Sequence, residues 1–292
     1  MAGVGWGLLA PFSKLTFGIE ANGVRFDAST LTVARAVWPL PVFALIVYLS
    51  RPRGTRPSRG ELLEFSLAAV LVGFGLNYLY QVAVQHTSAA HVVLLQGFAP
   101  LALAAVEALA FRAPLDGPRR LALALGMAGV VCVALARGGG SGTLVGDAIM
   151  ALWIAVFAAY TIVTRRLLRT YSPPFVIAVT WGGGFALVAL AGARYVPVSL
   201  AHTLATPELA GLVLAGIVAA AAVLAPAAHA LSVRLAGVTV ATAGSQYGVI
   251  ATGLLLSHQL LGEALGAASI AGATLLLLGL ACTLLPARSP AA

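Results

Sequence analysis

Charge is what this sequence has least of. Of its 292 residues only nine are acidic, and its cations are sixteen arginines and a single lysine, Lys14. Charged residues make up 9% and hydrophobic residues 60%, with a mean hydropathy of +0.99. A soluble domain carries roughly 25% charged residues, and even a large core needs a charged surface around it. The shortage therefore excludes an ordinary water-soluble fold and implies a polytopic membrane protein. Cysteine is nearly absent too. Cys132 and Cys282 both fall inside apolar runs and read as buried thiols, not a disulfide. There is no HExxH, GxSxG or Walker A motif, no pair of intramembrane aspartates and no cluster with metal-ligand spacing. Nothing points to an enzyme, a metal or a cofactor. The net charge of +8 would suggest nucleic acid in a soluble protein. Here the arginines lie between apolar segments, so they set topology and no nucleic-acid partner is implied. The bias of arginine over lysine suggests a GC-rich bacterial genome, and hence a bacterial inner membrane. The first twenty residues lack a basic leader and a cleavage site, and read as a retained first span.

What is present is a series of apolar segments. About 20 residues are needed per span, and ten candidates are found: 3–20, 29–49, 62–85, 88–110, 119–136, 146–165, 174–194, 209–231, 237–257 and 265–285. His86-Thr87-Ser88 is a tight turn between the third and fourth. With the N-terminus inside, the cytoplasmic segments hold Arg51, Arg53, Arg56, Arg59, Arg112, Arg119, Arg120, Arg165, Arg166, Arg169, Arg234 and Arg288. The outer loops hold only Arg25, Arg137 and Arg194. This is a strong positive-inside pattern, and it puts both termini in the cytoplasm.

The segments repeat. Trp6 and Trp153 stand 147 residues apart, Gln81–Pro100 lies opposite His229–Gly248 at 148, and Gly129 with Gly279 and Cys132 with Cys282 stand at 150. The pattern predicts an all-α protein of ten transmembrane helices in two five-helix repeats, residues 1–142 and 143–292. Five is odd, so the second copy enters the membrane inverted. Inverted repeats mark secondary transporters, with substrate held near the midplane between the halves.

Several stretches carry a family resemblance: Trp6-Gly7 followed by Lys14, Arg35 in the second segment, 87-TSAAHVVLLQGFAP-100, 260-LLGEALG-266 and the glycine-bearing last segment. The chain resembles the drug/metabolite transporter superfamily of the EamA type over essentially its whole length. Within it, 152-LWIAVFAAYTIVTRR-166 is similar to the sixth span of aromatic amino acid exporters of the YddG type. The resemblance implies ten helices in two inverted halves and export of small metabolites. Two departures stand out. Gly248 replaces the proline expected in the second repeat, and 112-RAPLD-116 replaces the usual turn in the first.

Polar residues inside apolar segments face inward, because a polar stripe cannot face lipid cheaply. Asn77, Gln81 and Gln85 form one stripe, with Tyr78 beside it. Trp153, Tyr160 and Thr164 form another. Thr239, Thr242 and Gln246 form a third, flanked by Ser245 and Tyr247. Asn77 and Thr239 read as interhelical glue. A substrate site is drawn from Trp6, Lys14, Tyr78, Gln81, His91, Gln96, Trp153, Tyr160, Gln246 and Tyr247. Aromatics would hold an apolar side chain, and amides an ammonium and a carboxylate. Pro100, with Gly97, is expected to break the fourth span and act as a hinge, and Gly248 is its counterpart. Lys14 and Arg35 lie in the outer third, where either could meet a carboxylate or simply pair with Glu20 and Asp27; Lys14 is the better site candidate. Glu107 is expected to pair with Arg112 at the inner rim. No acid falls at the midplane, and His91 is the one deep titrating group of the first half, with His229 in the second. This favours passive exchange over proton coupling. The expected function is alternating-access export of amino acids, aromatic ones included, by a monomer in the lipid bilayer. A broad exporter of amphiphiles or drugs is the runner-up, and a channel or lipid-handling protein stands behind it.

Overall fold

The order of the helices follows the apolar segments. In the computed structural model the described residues are all but 1, 18, 22–23, 53–56, 111–115, 136–142, 212–222, 237 and 286–292. The first expected span is two helices, α1 (Ala2–Gly7) and α2 (Leu9–Phe17). A two-residue hairpin pairs Glu20 with Arg25. The second span is a bent pair, α3 (Ala28–Val37) and α4 (Leu40–Ser50), meeting at 41°. Pro39 and Pro41 supply the bend by removing backbone donors. The third span runs unbroken from Arg59 to His86. It comprises α5 (Arg59–Val70), a π-helical stretch at Leu71–Tyr78 and α6 (Leu79–His86). The fourth is α7 (Ala89–Gly97) and α8 (Ala99–Ala110). The break falls at Phe98, whose N–H bonds Leu95 O at 3.1 Å, just ahead of Pro100.

Then follow α9 (Gly117–Leu135), α10 (Leu144–Thr170) and α11 (Pro173–Ala191), matching spans five to seven. A connecting loop expected at 195–208 is instead mostly helix: α12 (Val196–Ala205) and the short α13 (Pro207–Ala210). α12 packs on α3, with Ser199 Oγ donating to Thr30 O at 3.2 Å. The expected eighth span, 209–231, lies largely outside the described residues, and helix resumes at α14 (Ala225–Ala236). α15 (Val238–Leu261) and α16 (Ala267–Thr283) complete the chain.

Five helices among the described residues are long and apolar enough to cross a membrane, and the bent α3–α4 pair makes a sixth. Of the other expected spans, α16 has 17 residues, and α15 is diluted by its Ser245-Gln246-Tyr247 run. Side-chain caps fix several helix starts. Asp27 accepts from Thr30 N, Ser58 and Glu61 form a capping box, Ser88 accepts from His91 N, and Thr143 accepts from Gly146 N. The principal core runs through α2, α3, α6, α7, α9, α10, α15 and α16.

Small residues bring the helices together. A Cβ at Gly97 would lie 2.7 Å from Ile250 on α15. One at Gly248 would lie 3.0 Å from Gly3 backbone on α1. α15 passes through Gly248 unbroken, whereas the first half breaks next to Pro100. The missing proline thus makes a packing contact out of the second expected hinge.

Candidate functional site

One end of the bundle is tied together by polar groups from both halves of the chain. Glu263, between α15 and α16, accepts from Ala89 N at 2.9 Å and Ala90 N at 2.8 Å, so its carboxylate sits on the N-terminus of α7. This placement is favoured by the free N–H groups and the helix dipole. His91 Nε2 stands 3.0 Å from Asp147 on the first turn of α10. Thr143 Oγ1 donates to His86 O at 2.7 Å. Lys14 donates to Val84 O at 3.0 Å and Thr87 O at 2.9 Å, closing the C-terminus of α6. Its charge is spent on helix-end carbonyls, and Asp27 is occupied as the cap of α3; the side chain of Glu20, its other expected partner, lies outside the described residues. His91 is the third residue after its cap, so it belongs to this latch and is not deep in the span.

A second layer lies about 8–12 Å further in, at 1.5 Å per helical residue. Its centre is Tyr80, which is 1% exposed. The Tyr80 hydroxyl donates to Gln96 Oε1 at 3.0 Å. Its ring packs against Trp153, with centroids 5.7 Å apart, and Trp153 stacks on Phe157 at 5.7 Å. Trp153 Nε1 donates to Leu76 O at 2.9 Å. Arg35 lies within electrostatic reach of Tyr80 and is buried. Gln81 is wholly buried, and neither of its amide atoms has a partner among the described residues. This layer joins α3, the third span, α7 and α10.

The sequence singled out Tyr78 where the structure uses Tyr80. The reason is the π-helical stretch, in which Leu79 N bonds Phe74 O five residues back. The wider turn rotates everything after it, so Tyr78 is exposed at 36% and Tyr80 points inward. Asn77 was expected to bond another helix. Its Nδ2 instead donates to Val72 O at 2.9 Å within the same wide turn. Gln85, the outer member of that stripe, accepts from Ala28 N at 3.0 Å at the start of α3.

The remaining candidates are dispersed. Trp6 on α1 packs its ring 5.2 Å from that of His229 on α14. Gln246 is buried on α15, and its Oε1 has no partner among the described residues. Tyr160 takes a hydrogen bond from Trp181 Nε1 at 3.0 Å and lies 3.3 Å from Thr180 Oγ1, which ties α10 to α11. The Tyr247 hydroxyl donates to Leu277 O at 2.7 Å. Tyr247 lines an apolar groove of about 500 Å³ between α15 and α16, with Leu254, Leu255 and Leu277. It therefore does not join the Tyr80 layer. The side chains of Thr239, Glu107 and Arg234, and the expected Glu107–Arg112 pair, lie outside the described residues. Among the described residues no group of three or more His, Cys, Asp or Glu could hold a metal ion.

Comparison with known proteins gives three findings. Residues 1–135 match a family model described as the EamA-like transporter family. No curated protein matches the chain. A solved structure described only as "Crystal structure of protein" is similar, with a TM-score of 0.62 and 19% identity. That alignment covers 98% of this chain and 96% of the other, and shows the fold alone.

Proposed function

We propose that this protein is a secondary transporter that moves small metabolites, amino acids including aromatic ones foremost, by alternating access between two inverted halves. The family match over residues 1–135 supports a membrane transporter of small molecules. The observation that carries the two-half reading is a pair of reciprocal contacts. A Cβ at Gly129 would lie 2.9 Å from Gly272 O, and one at Gly279 would lie 2.9 Å from Ala122 O. Gly279 and Gly129 are 150 residues apart, and so are Gly272 and Ala122. Exchanging the halves turns one contact into the other, as a twofold axis between α9 and α16 requires.

In this reading the arginine pattern places the Glu263 end outside, and the latch there closes the outer mouth. The Tyr80 layer beneath it supplies an aromatic wall of Tyr80 and Trp153 with Gln96 and Gln81 alongside. Burying an apolar side chain against such a wall is worth about 1.5–3 kcal/mol. Amides supply both donors and acceptors to a zwitterion. The runner-up, an exporter of apolar amphiphiles, would use the aromatic wall without the amides.

Uptake into proteoliposomes by Trp153→Ala and Gln96→Ala separates the two. Loss of phenylalanine flux in both supports the amino acid reading. Loss in Trp153→Ala with full flux in Gln96→Ala supports the amphiphile reading, and unchanged flux in both refutes the site.

A further inference from the structure

Arg35 is the one cation buried deep in the described part of the bundle. It lies eight residues into α3 from its cap Asp27, about 12 Å from that end at 1.5 Å per residue, and is 2% exposed. Neither Nε nor Nη1 has a hydrogen-bond partner among the described residues. An ionised group in an apolar interior is costly unless an opposite charge meets it, and such residues mark substrate pathways when they occur inside membranes.

The seven acids whose side chains are described do not supply that charge. Asp27 caps α3, Glu61 bonds Ser58, Asp116 caps Arg119 N, and Glu263 caps α7. Glu64 meets Arg166 at 3.3 Å, and Asp147 meets His91. Glu208 is exposed on α13. The side chains of Glu20 and Glu107 are outside the described residues.

Buried polar groups without a partner among the described residues belong to the same helix and the same layer as Arg35. Trp38, one turn further along, has a buried indole N–H with no partner among the described residues. Gln81 keeps a free amide, and Tyr80 lies within electrostatic reach.

We propose that Arg35 binds the carboxylate of the transported molecule, so that the cargo is a small carboxylate and not a neutral amphiphile. The proposal rests on the transporter reading above and narrows its substrate class. A guanidinium presents two parallel N–H groups that match the two oxygens of a carboxylate. One guanidinium with neutral donors suits a single negative charge. A phosphate would call for more cations, and Lys14 is already committed to Val84 O and Thr87 O. The apolar remainder of the cargo would then lie against Tyr80 and Trp153, and an α-ammonium beside Gln96.

The test is thermal unfolding of the purified full chain with benzoate, phenylalanine or phenethylamine, for wild type, Arg35→Gln and Arg35→Lys. The two carboxylates are expected to stabilise wild type, and phenethylamine to do so far less. Arg35→Gln should be at least as stable as wild type without ligand, because it removes an uncompensated buried charge. Its benzoate affinity should fall about tenfold or more. Arg35→Lys keeps the charge but loses the fork, and should bind benzoate more weakly than wild type. Three results would each overturn the proposal: no carboxylate effect on wild type, undiminished benzoate binding in the variants, or a less stable unliganded Arg35→Gln, which would reveal a structural partner such as Glu20. A benzoate effect lost in Arg35→Gln, with no phenylalanine effect on wild type, upholds Arg35 and refutes the amino acid reading. A phenylalanine effect that survives in Arg35→Gln does the reverse.

Discussion

Tyr80 shows how a single side chain can organise a layer. It is fully buried, yet its hydroxyl is satisfied by Gln96 and its ring by Trp153. Tyr80→Phe keeps the ring and removes the donor, leaving Gln96 Oε1 buried without it. The expected cost is about 1–3 kcal/mol of stability, read as a lower unfolding midpoint. Phenylalanine uptake should weaken as Gln96 loses its fixed orientation, and a variant equal to wild type in both would remove Tyr80 from the site. The sequence brought out Trp153 and Gln96 because both are polar groups deep in apolar runs. It passed over Tyr80 because the stripe was read with a uniform period of 3.6. The signal for the π-helical stretch was Gly73 and Gly75. A Cβ at Gly73 would lie 2.5 Å from Gly184 O on α11. Such glycines permit an irregular turn without specifying it, so the register shift could not be read ahead of the structure. Lys14 was placed above Arg35 for the opposite reason. Position in the span is legible, but whether helix-end carbonyls will take up a charge is not.

At the scale of elements, the latch joins the N-terminus of α7 to the α15–α16 connection and to α10. Glu263 engages two backbone N–H groups that have no partner within α7 itself. Glu263→Gln keeps the size and one acceptor but removes the charge that the helix terminus favours. The loss is expected to be about 0.3–1 kcal/mol, enough to shift the mouth toward opening by up to about fivefold. A cysteine at Ala90, which lies 6% exposed beneath Glu263, reports this. An impermeant maleimide added outside should label it faster in Glu263→Gln than in the parent. Equal labelling contradicts the latch, and labelling only from the inner side contradicts the orientation drawn from the arginines. The turn between the third and fourth spans was legible from His86-Thr87-Ser88. The helix α12 was not, because its packing on α3 depends on a tertiary bond from Ser199 to Thr30.

At the scale of the molecule, scarcity of charge led to a helical membrane protein, and the 148-residue offset led to the proposed repeat, which the reciprocal glycine contacts between α9 and α16 support. The proposed halves differ at one point: the first breaks at Phe98–Pro100, while α15 runs straight through Gly248. Six of the nine acids are engaged at helix ends or rims, and Glu208 is exposed on α13. His91 belongs to the latch. No acid among the described side chains lies in the central layer, and a carrier of this kind should run on the substrate gradient alone. Phenylalanine uptake into proteoliposomes, with a substrate gradient and a pH gradient imposed separately, measures this directly. The account predicts uptake that follows the substrate gradient, halts at equal concentrations and does not respond to the pH gradient. Accumulation driven by the pH gradient alone, or no uptake above that of protein-free liposomes, would contradict it.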